Sequence, residues 1–161
     1  MKIEYGRVEI SREDAAANQA DLQALLALSR AWAEEGCCPG YYANGPDEYA
    51  GKEIRVARRE GQIIAYALGH FRTLDRTASY GSAGERVFEL DELYVLPEYR
   101  GQGVGQALFR RLEADVRARA DVIELIAASR DYAGLMKFYI DELGMTFNHA
   151  LLVKRLPPRR A

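Results

Sequence analysis

The hydrophobic and polar positions along the chain follow two periods, which alternate in blocks. A period of two residues predicts strands over 3–10, 53–58 and 62–71, and the last two flank a short turn as the arms of a hairpin. Apolar residues at helical spacing over 22–32 predict a helix between the first and second strands, with Asp21 as its N-cap. The first half of the chain therefore predicts antiparallel strands and one covering helix.

Strands and helices alternate in the second half of the chain. A strand pattern over 87–96 stops at Pro97, which cannot donate to a sheet. A helix is predicted after the next few residues, with Val104 as the first residue of its apolar face, and it lasts to about Ala120. Three further elements follow: a strand over 122–128, a helix over 132–144, and a last strand with Met145, Phe147, Leu151 and Val153 on one face. This order predicts an α/β fold with a mixed, mostly antiparallel central sheet flanked by helices, in one domain over 1–156 with a short tail over 157–161.

The composition narrows the class of partner. The 161 residues carry a formal net charge of -2, which gives no electrostatic reason to expect nucleic acid. No apolar run approaches the ~20 residues of a membrane span, and the N-terminus lacks the apolar core of a signal peptide. The adjacent Cys37 and Cys38 suit neither a disulfide nor a zinc site, and His70 and His149 belong to no ligand set. We therefore expect a cytoplasmic protein, off the membrane and without a metal, that acts on small-molecule or peptide substrates.

Three glycines, Gly101, Gly103 and Gly105, stand at alternate positions where the strand gives way to a helix. Two phosphate-binding motifs do not fit: a Walker loop requires a Lys-Ser or Lys-Thr pair, and a dinucleotide fingerprint requires G-x-G-x-x-G. Glycines let a ligand approach the backbone, the first N–H groups of a helix attract anions, and Arg100 adds a charged donor fork. The turn therefore predicts a pyrophosphate site, with a turn that only packs closely as the alternative.

The stretch from 88 to 147 resembles the GNAT family of N-acetyltransferases. Its residues Arg100-Gly101-Gln102-Gly103-Val104-Gly105 are similar to the (Gln/Arg)-x-x-Gly-x-(Gly/Ala) pattern of motif A, and FYIDELGM is similar to motif B. The resemblance implies the GNAT fold and transfer of an acetyl group from acetyl-CoA, as co-substrate, to a primary amine. It also implies a homodimer, because members of the family often pair through their last strands.

The resemblance assigns roles to particular residues. It implies that the pantetheine arm of acetyl-CoA pairs with the strand end at Leu93, Tyr94 and Val95. It implies that the pyrophosphate lies against the turn formed by Arg100, Gly101, Gln102, Gly103, Val104, Gly105 and Gln106. Tyr139 is similar to the tyrosine that protonates the departing thiolate, and it lies one residue further from Gly144 than in the family pattern.

Acyl transfer to an ammonium also requires a base, and acids are dense on the strand before the turn. In a regular strand Glu89 and Asp91 share one face and Glu92 takes the other. By resemblance, Asp91 matches a catalytic aspartate of aminoglycoside-modifying relatives, and Glu92 is the second candidate. The alternative for each of these acids is a solvated or ion-paired surface charge.

Two other functions agree with the same sequence. A non-catalytic acyl-CoA-binding or regulatory module would keep the cofactor cleft without turnover, and a modifier of peptide or protein N-termini would take a larger acceptor. The aromatic and acidic stretch over 36–50 suits a cationic amine, but equally a surface loop or a dimer contact. The sequence leaves open the acceptor, the general base, the oligomeric state and the role of the two cysteines.

Overall fold

A computed structural model describes residues 2–12 and 18–157 of the chain. Its strands are β1 (Glu4–Val8), β2 (Glu53–Arg59), β3 (Gln62–Thr73), β4 (Arg86–Val95) and β5 (Val122–Glu124), and its α-helices are α1 (Gln19–Glu35), α2 (Val104–Val116) and α3 (Tyr132–Met136). The described strands form one sheet in the order β1-β2-β3-β4-β5, with β4 and β5 parallel and the other pairs antiparallel. The predicted mixed, mostly antiparallel sheet is therefore confirmed. Residues 158–161 of the predicted tail lie outside the described residues.

The two long helices pack on opposite faces of the sheet. Leu25 of α1 is fully buried in one core with Tyr66 of β3, and Leu112 of α2 is fully buried in a second core with Phe88 of β4. We call the two sides of the sheet the α1 face and the α2 face. None of the helices in the described part of the chain combines the length and apolar character needed to cross a membrane.

Strand β4 contains one extra residue opposite β3. Leu68 pairs with Glu92, and the next residue of β3 pairs with Leu90, so Asp91 has no partner on β3. Such a bulge turns two successive side chains to the same face and bends the strand. Glu92 therefore lies on the α1 face together with Glu89 and Asp91. The prediction that Glu92 takes the opposite face is wrong, because it assumed a regular strand.

The bend in β4 also limits β5. Pairing between the two strands ends at Glu89 and Glu124, so β5 is shorter than the predicted strand over 122–128. The predicted last strand is wrong: residues 145–157 form no strand, and Phe147, Leu151 and Val153 are exposed. An alternating pattern forms a strand only where a sheet edge pairs with it, and β5 offers an edge of only three residues.

The helices differ from the predicted ones at the start of α1, at the end of α2 and in the type of the last helix. The N-cap residue of α1 is Asn18. Asp21 lies inside the first turn, and its carboxylate accepts a hydrogen bond from Arg58 of β2 at 2.8 Å. Helix α2 ends at Val116, before the predicted Ala120. The predicted helix over 132–144 begins as α3, continues as the π-helix Lys137–Glu142 and ends at Gly144, whose φ is 75°.

Candidate functional site

Strand β4 continues beyond the end of its pairing with β5, and we call the space beside the unpaired end of β4 the cleft. Their pairing ends at Glu89, whereas β4 continues to Val95. The amide of Leu96 donates to a carbonyl of β3 at 3.0 Å, so the alternation of an antiparallel ladder turns the peptide groups of Leu93 and Val95 away from β3. The same alternation turns the peptide groups of Tyr94 toward β3, and its side chain is buried on the α1 face. Backbone groups of Leu93 and Val95 therefore line one wall of the cleft.

The glycine turn forms the end of this cleft. Gly101 and Gly103 have φ values of 68° and 78°, in the left-handed region where other residues are strained. Gly105 serves a different purpose, because a Cβ there would lie 3.4 Å from both the Phe138 ring and the Val95 side chain. The first backbone donor within α2 is residue 107, so the preceding N–H groups, at 104–106, have no acceptor in the helix. These amides have the geometry of an anion site.

Arg100 is held by the end of α1. Its guanidinium donates to the two oxygens of Glu35 at 2.8 and 2.9 Å, and its Nε donates to the carbonyl of Val95 at 2.8 Å. The hydroxyl of Tyr94 also donates to Glu35, at 2.6 Å. Burial alone would raise the pKa of Glu35, but the hydrogen bonds from Arg100 and Tyr94 outweigh it and lower the pKa. Arg100 thus fastens the glycine turn to α1 and uses three of its five N–H groups to do so.

Glu92 is a largely buried carboxylate held by neutral donors. The Tyr66 hydroxyl donates to it at 2.6 Å, and the side-chain amide of Asn44 lies 2.9 and 3.0 Å from its two oxygens. No lysine, arginine or histidine nitrogen of the described residues lies within 4.0 Å of this carboxylate. Burial raises the pKa of Glu92, and the hydrogen bonds from Tyr66 and Asn44 offset only part of the rise.

Asp91, next along the strand, has ion-pair partners. Lys52 donates to its carboxylate at 2.6 Å, and Nδ1 of His70 lies 3.1 Å from the same oxygen. Glu89 lies 3.1 Å from the guanidinium of Arg72. Asp91 and Glu89 are therefore ion-paired, which is the alternative that the sequence left open for each acid, whereas Glu92 is not.

The loop over 36–50 is fastened next to Glu92 by its Tyr41 and by two residues that the sequence did not reveal, Ser29 and Asn44. Ser29 of α1 is completely buried, lies 2.6 Å from the Tyr41 hydroxyl and accepts the backbone amide of Asn44 at 2.8 Å. A serine within the apolar stripe of a helix is a signal that could have identified Ser29. No local pattern marks Asn44 or Tyr66, because their contact with Glu92 depends on the bulge in β4.

Tyr139 lies in the π-helix and packs against the core beside α2. Its ring meets those of Phe109 and Phe138 edge-on, at centroid distances of 6.4 and 5.0 Å. Its hydroxyl makes no hydrogen bond to the other described residues, and burial raises its pKa. The amide of Leu143 donates to the carbonyl of Phe138, five residues earlier. Because such a turn holds one residue more than an α-helical turn, the π-helix accommodates the extra residue between Tyr139 and Gly144.

The described residues contain no group of three or more His, Cys, Asp or Glu side chains arranged to hold a metal ion. The features that they do combine are a turn with the geometry of an anion site, a cleft lined by peptide groups and a carboxylate without a counter-ion.

Several solved structures share this fold at low sequence identity. AAC(6')-Iy in complex with the bisubstrate analog CoA-S-monomethyl-acetylneamine is 16% identical, with a TM-score of 0.66 over 98% of this chain and 99% of that chain. The aminoglycoside acetyltransferase HMB0005 from an uncultured soil metagenomic sample is 16% identical, with a TM-score of 0.66 over 99% and 100%. A ribosomal-protein-alanine N-acetyltransferase from Brucella melitensis biovar Abortus 2308 is 19% identical, with a TM-score of 0.64 over 96% and 100%. No curated protein sequence matches the chain significantly.

The family model of the acetyltransferase (GNAT) family matches residues 20–145, which include α1, the strands β2 to β5, the glycine turn and the π-helix. This match extends well beyond the glycine motif and covers most of the chain. Together with the shared fold, it leads to one conclusion: the chain belongs to the acetyltransferase (GNAT) family.

Proposed function

We propose that the protein transfers an acetyl group from acetyl-CoA to a primary amine, directly and within a ternary complex. The observation that carries this proposal is the position of Glu92. It is the residue immediately before Leu93, so a carboxylate without a counter-ion on the α1 face adjoins the wall of the cleft. A base and a cofactor groove on one strand are what acetyl transfer to an ammonium requires.

The cofactor is proposed to bind mainly through backbone groups. The amides at 104–106 have no acceptor among the described residues and, with Gly101, Gln102 and Gly103 before them, suit the pyrophosphate. The two N–H groups of Arg100 that donate to neither Glu35 nor Val95 add to them. The strand end over 93–95 suits the pantetheine arm, through the peptide groups of Leu93 and the N–H of Val95 in particular, because the Val95 carbonyl already accepts from Arg100. Acetyl-CoA would supply the acetyl group as a thioester. The complex of the neighbour AAC(6')-Iy with a CoA-containing analog supports the choice of a CoA thioester as co-substrate.

The proposed chemistry uses the side chains of Glu92 and Tyr139 and a backbone N–H of β4. Glu92 accepts a proton from the substrate ammonium, and its raised pKa makes it a stronger base than an ordinary carboxylate. The amine nitrogen then bonds to the acetyl carbon, the carbon–sulfur bond breaks, and the second proton of the nitrogen passes to solvent as the amide forms. An N–H of β4 that points into the cleft stabilises the charge on the acetyl oxygen. The hydroxyl of Tyr139 gives its proton to the sulfur and regains one from solvent, and Glu92 returns its proton to solvent before the next turnover. Asp91 is the alternative base, although Lys52 already pairs with it.

The experiment that tests this function follows the release of free thiol when amines are added to the protein and acetyl-CoA. We expect release with the wild type and a decrease of about 10²- to 10⁴-fold in kcat/KM for Glu92→Gln, the usual range for loss of a general base. Glu113→Gln, which removes an exposed acid from α2, is the matched control and should leave kcat/KM unchanged. Asp91→Asn distinguishes the two candidate bases. If acetyl-CoA raises the Tm but no amine releases thiol, the non-catalytic acyl-CoA-binding module is the better description.

We also propose a homodimer. Residues 145–157 expose several large apolar side chains, and the outer edge of β5 is unpaired among the described residues. These exposed side chains are Phe147, Leu151, Leu152, Val153 and Leu156. A second copy that pairs with this segment would cover them. The cytoplasmic location and the exclusion of nucleic acid stay predictions from the sequence.

A further inference from the structure

The charges on the α1 face point to a narrower class of acceptor. We propose that the acceptor is a monoamine, with a single ammonium group on an apolar body. A second positive charge on the acceptor would then not increase kcat/KM. This inference rests on the proposed acetyl transfer and specifies its substrate.

Most carboxylates near the site already have a cation. Asp91 is bound by Lys52 at 2.6 Å, and the guanidinium of Arg72 is shared by Glu89 and Glu124. On the other side of the site, Glu35 forms an ion pair with Arg100. A substrate ammonium that approached any of these acids would have to compete with a lysine or arginine already in place, so these acids offer little to a polycation.

Glu92 is the exception on this face. Its donors are Tyr66, Asn44 and, at 3.5 Å, Tyr41, which satisfy its oxygens as hydrogen-bond acceptors but bring no positive charge. A buried carboxylate without a counter-ion is unfavourable, and a substrate ammonium would supply that counter-ion. Around Glu92 the described residues therefore leave one negative charge for the substrate to neutralise.

The remaining surroundings of Glu92 are aromatic. Trp32 stacks on Tyr41 at 4.2 Å and on Tyr94 at 5.2 Å, and Tyr66 lies beside Tyr94. Trp32 and Tyr41 are only partly buried, so they present aromatic surface next to the carboxylate. Asp47 and Glu48 lie further along the loop and are exposed, where ion pairs contribute little. This environment suits an alkyl or aryl body better than a hydrated polycation.

The test compares two acceptors of equal length that differ by one ammonium, pentylamine and 1,5-diaminopentane. We expect the kcat/KM of the diamine to lie within about fivefold of that of the monoamine or below it, because an exposed second ion pair is worth at most about fivefold. A diamine preferred by more than about fivefold would overturn the inference while leaving acetyl transfer intact. If neither amine releases thiol, the inference and the proposed function both fail.

A charge variant tests the reason behind this preference. Lys52→Gln removes the cation that now neutralises Asp91 and so exposes a second negative charge on the α1 face. The ratio of diamine to monoamine kcat/KM should then rise by about three- to fivefold. Lys2→Gln makes the same charge change at an exposed lysine of the N-terminal segment and should leave the ratio as in the wild type. An unchanged ratio in a folded Lys52→Gln protein, with its Tm as the check on folding, would contradict the inference.

Discussion

Glu92 and Asp91 are consecutive residues on β4, and their carboxylates face the same side of the sheet in different surroundings. Asp91 lies beside a lysine and a histidine, whereas Glu92 is held by a tyrosine hydroxyl and an amide. Burial without a counter-ion raises the pKa of Glu92, and each hydrogen bond to its charged form lowers it again. The pKa of Glu92 therefore depends on its neutral donors, above all on Tyr66.

The variant Tyr66→Phe tests this dependence. Loss of the 2.6 Å hydrogen bond removes a group that favours the ionised carboxylate, so the pKa of Glu92 should rise further. Because Glu92 must be ionised to act as a base, the acid limb of the kcat/KM profile should move to higher pH, by about one to two units for one hydrogen bond to a charged group. Tyr42→Phe, at an exposed tyrosine, is the control. An acid limb that stays in place would mean that Glu92 is not the group that titrates.

At the level of elements, the glycine turn and the bulge decide where the site lies. Gly101 and Gly103 adopt the left-handed backbone conformation, which lets the chain turn from β4 into α2 and leaves the first amides of α2 without a helical acceptor. The bulge at Asp91 bends β4 away from β5 and opens the cleft. Both features deviate from regular structure, and each leaves backbone groups unpaired where a cofactor would bind.

Gly103→Ala should reduce both stability and cofactor binding. A Cβ at φ 78° meets no neighbouring atom within 4 Å, so the cost is backbone strain alone, about 1–2 kcal/mol of unfolding free energy. Gly84→Ala is a matched control in the loop before β4, with φ 91° and equally open surroundings. Urea unfolding should show similar losses for both variants, whereas calorimetry should show weaker acetyl-CoA binding for Gly103→Ala alone. Equal acetyl-CoA affinity in the two variants would argue against a cofactor at this turn.

The sequence predicts the order of the elements up to Gly144 because each carries its signal locally. The hairpin of β2 and β3, the stop at Pro97 and the helix end at Gly144 are all of this kind. The bulge escaped prediction because it is a relation between two strands, although a glycine inside a strand, here Gly69, is a known sign of one. The face of Glu92 was wrong for the same reason. The last strand was wrong because its alternating pattern carries no information about whether an edge is free to receive it.

At the scale of the whole molecule, the segment over 145–157 exposes large apolar side chains that no contact within one chain covers among the described residues. Its apolar residues lie in water, whereas those of the two cores are almost completely buried. Clusters of exposed apolar side chains are a common feature of interaction sites. Pairing between two copies would remove it from water and extend the sheet.

Substitution within the segment tests the dimer. Leu152→Glu with Val153→Glu places two charges on the exposed strip and should convert the protein from dimer to monomer in sedimentation equilibrium. Tyr42→Glu, at an exposed aromatic residue outside the segment, should leave the dimer intact. A wild-type protein that is monomeric at high concentration, or a double variant that remains a dimer, would contradict pairing through residues 145–157.

The central claim is that the unpaired amides at the start of α2 hold the diphosphate of acetyl-CoA. The most direct test compares kcat/KM for acetyl-CoA with that for S-acetylpantetheine, which has the same thioester and no diphosphate. Two charge-assisted hydrogen bonds together contribute about 3 kcal/mol or more, so acetyl-CoA should be preferred by about 100-fold or more. Equal use of the two donors would contradict the claim.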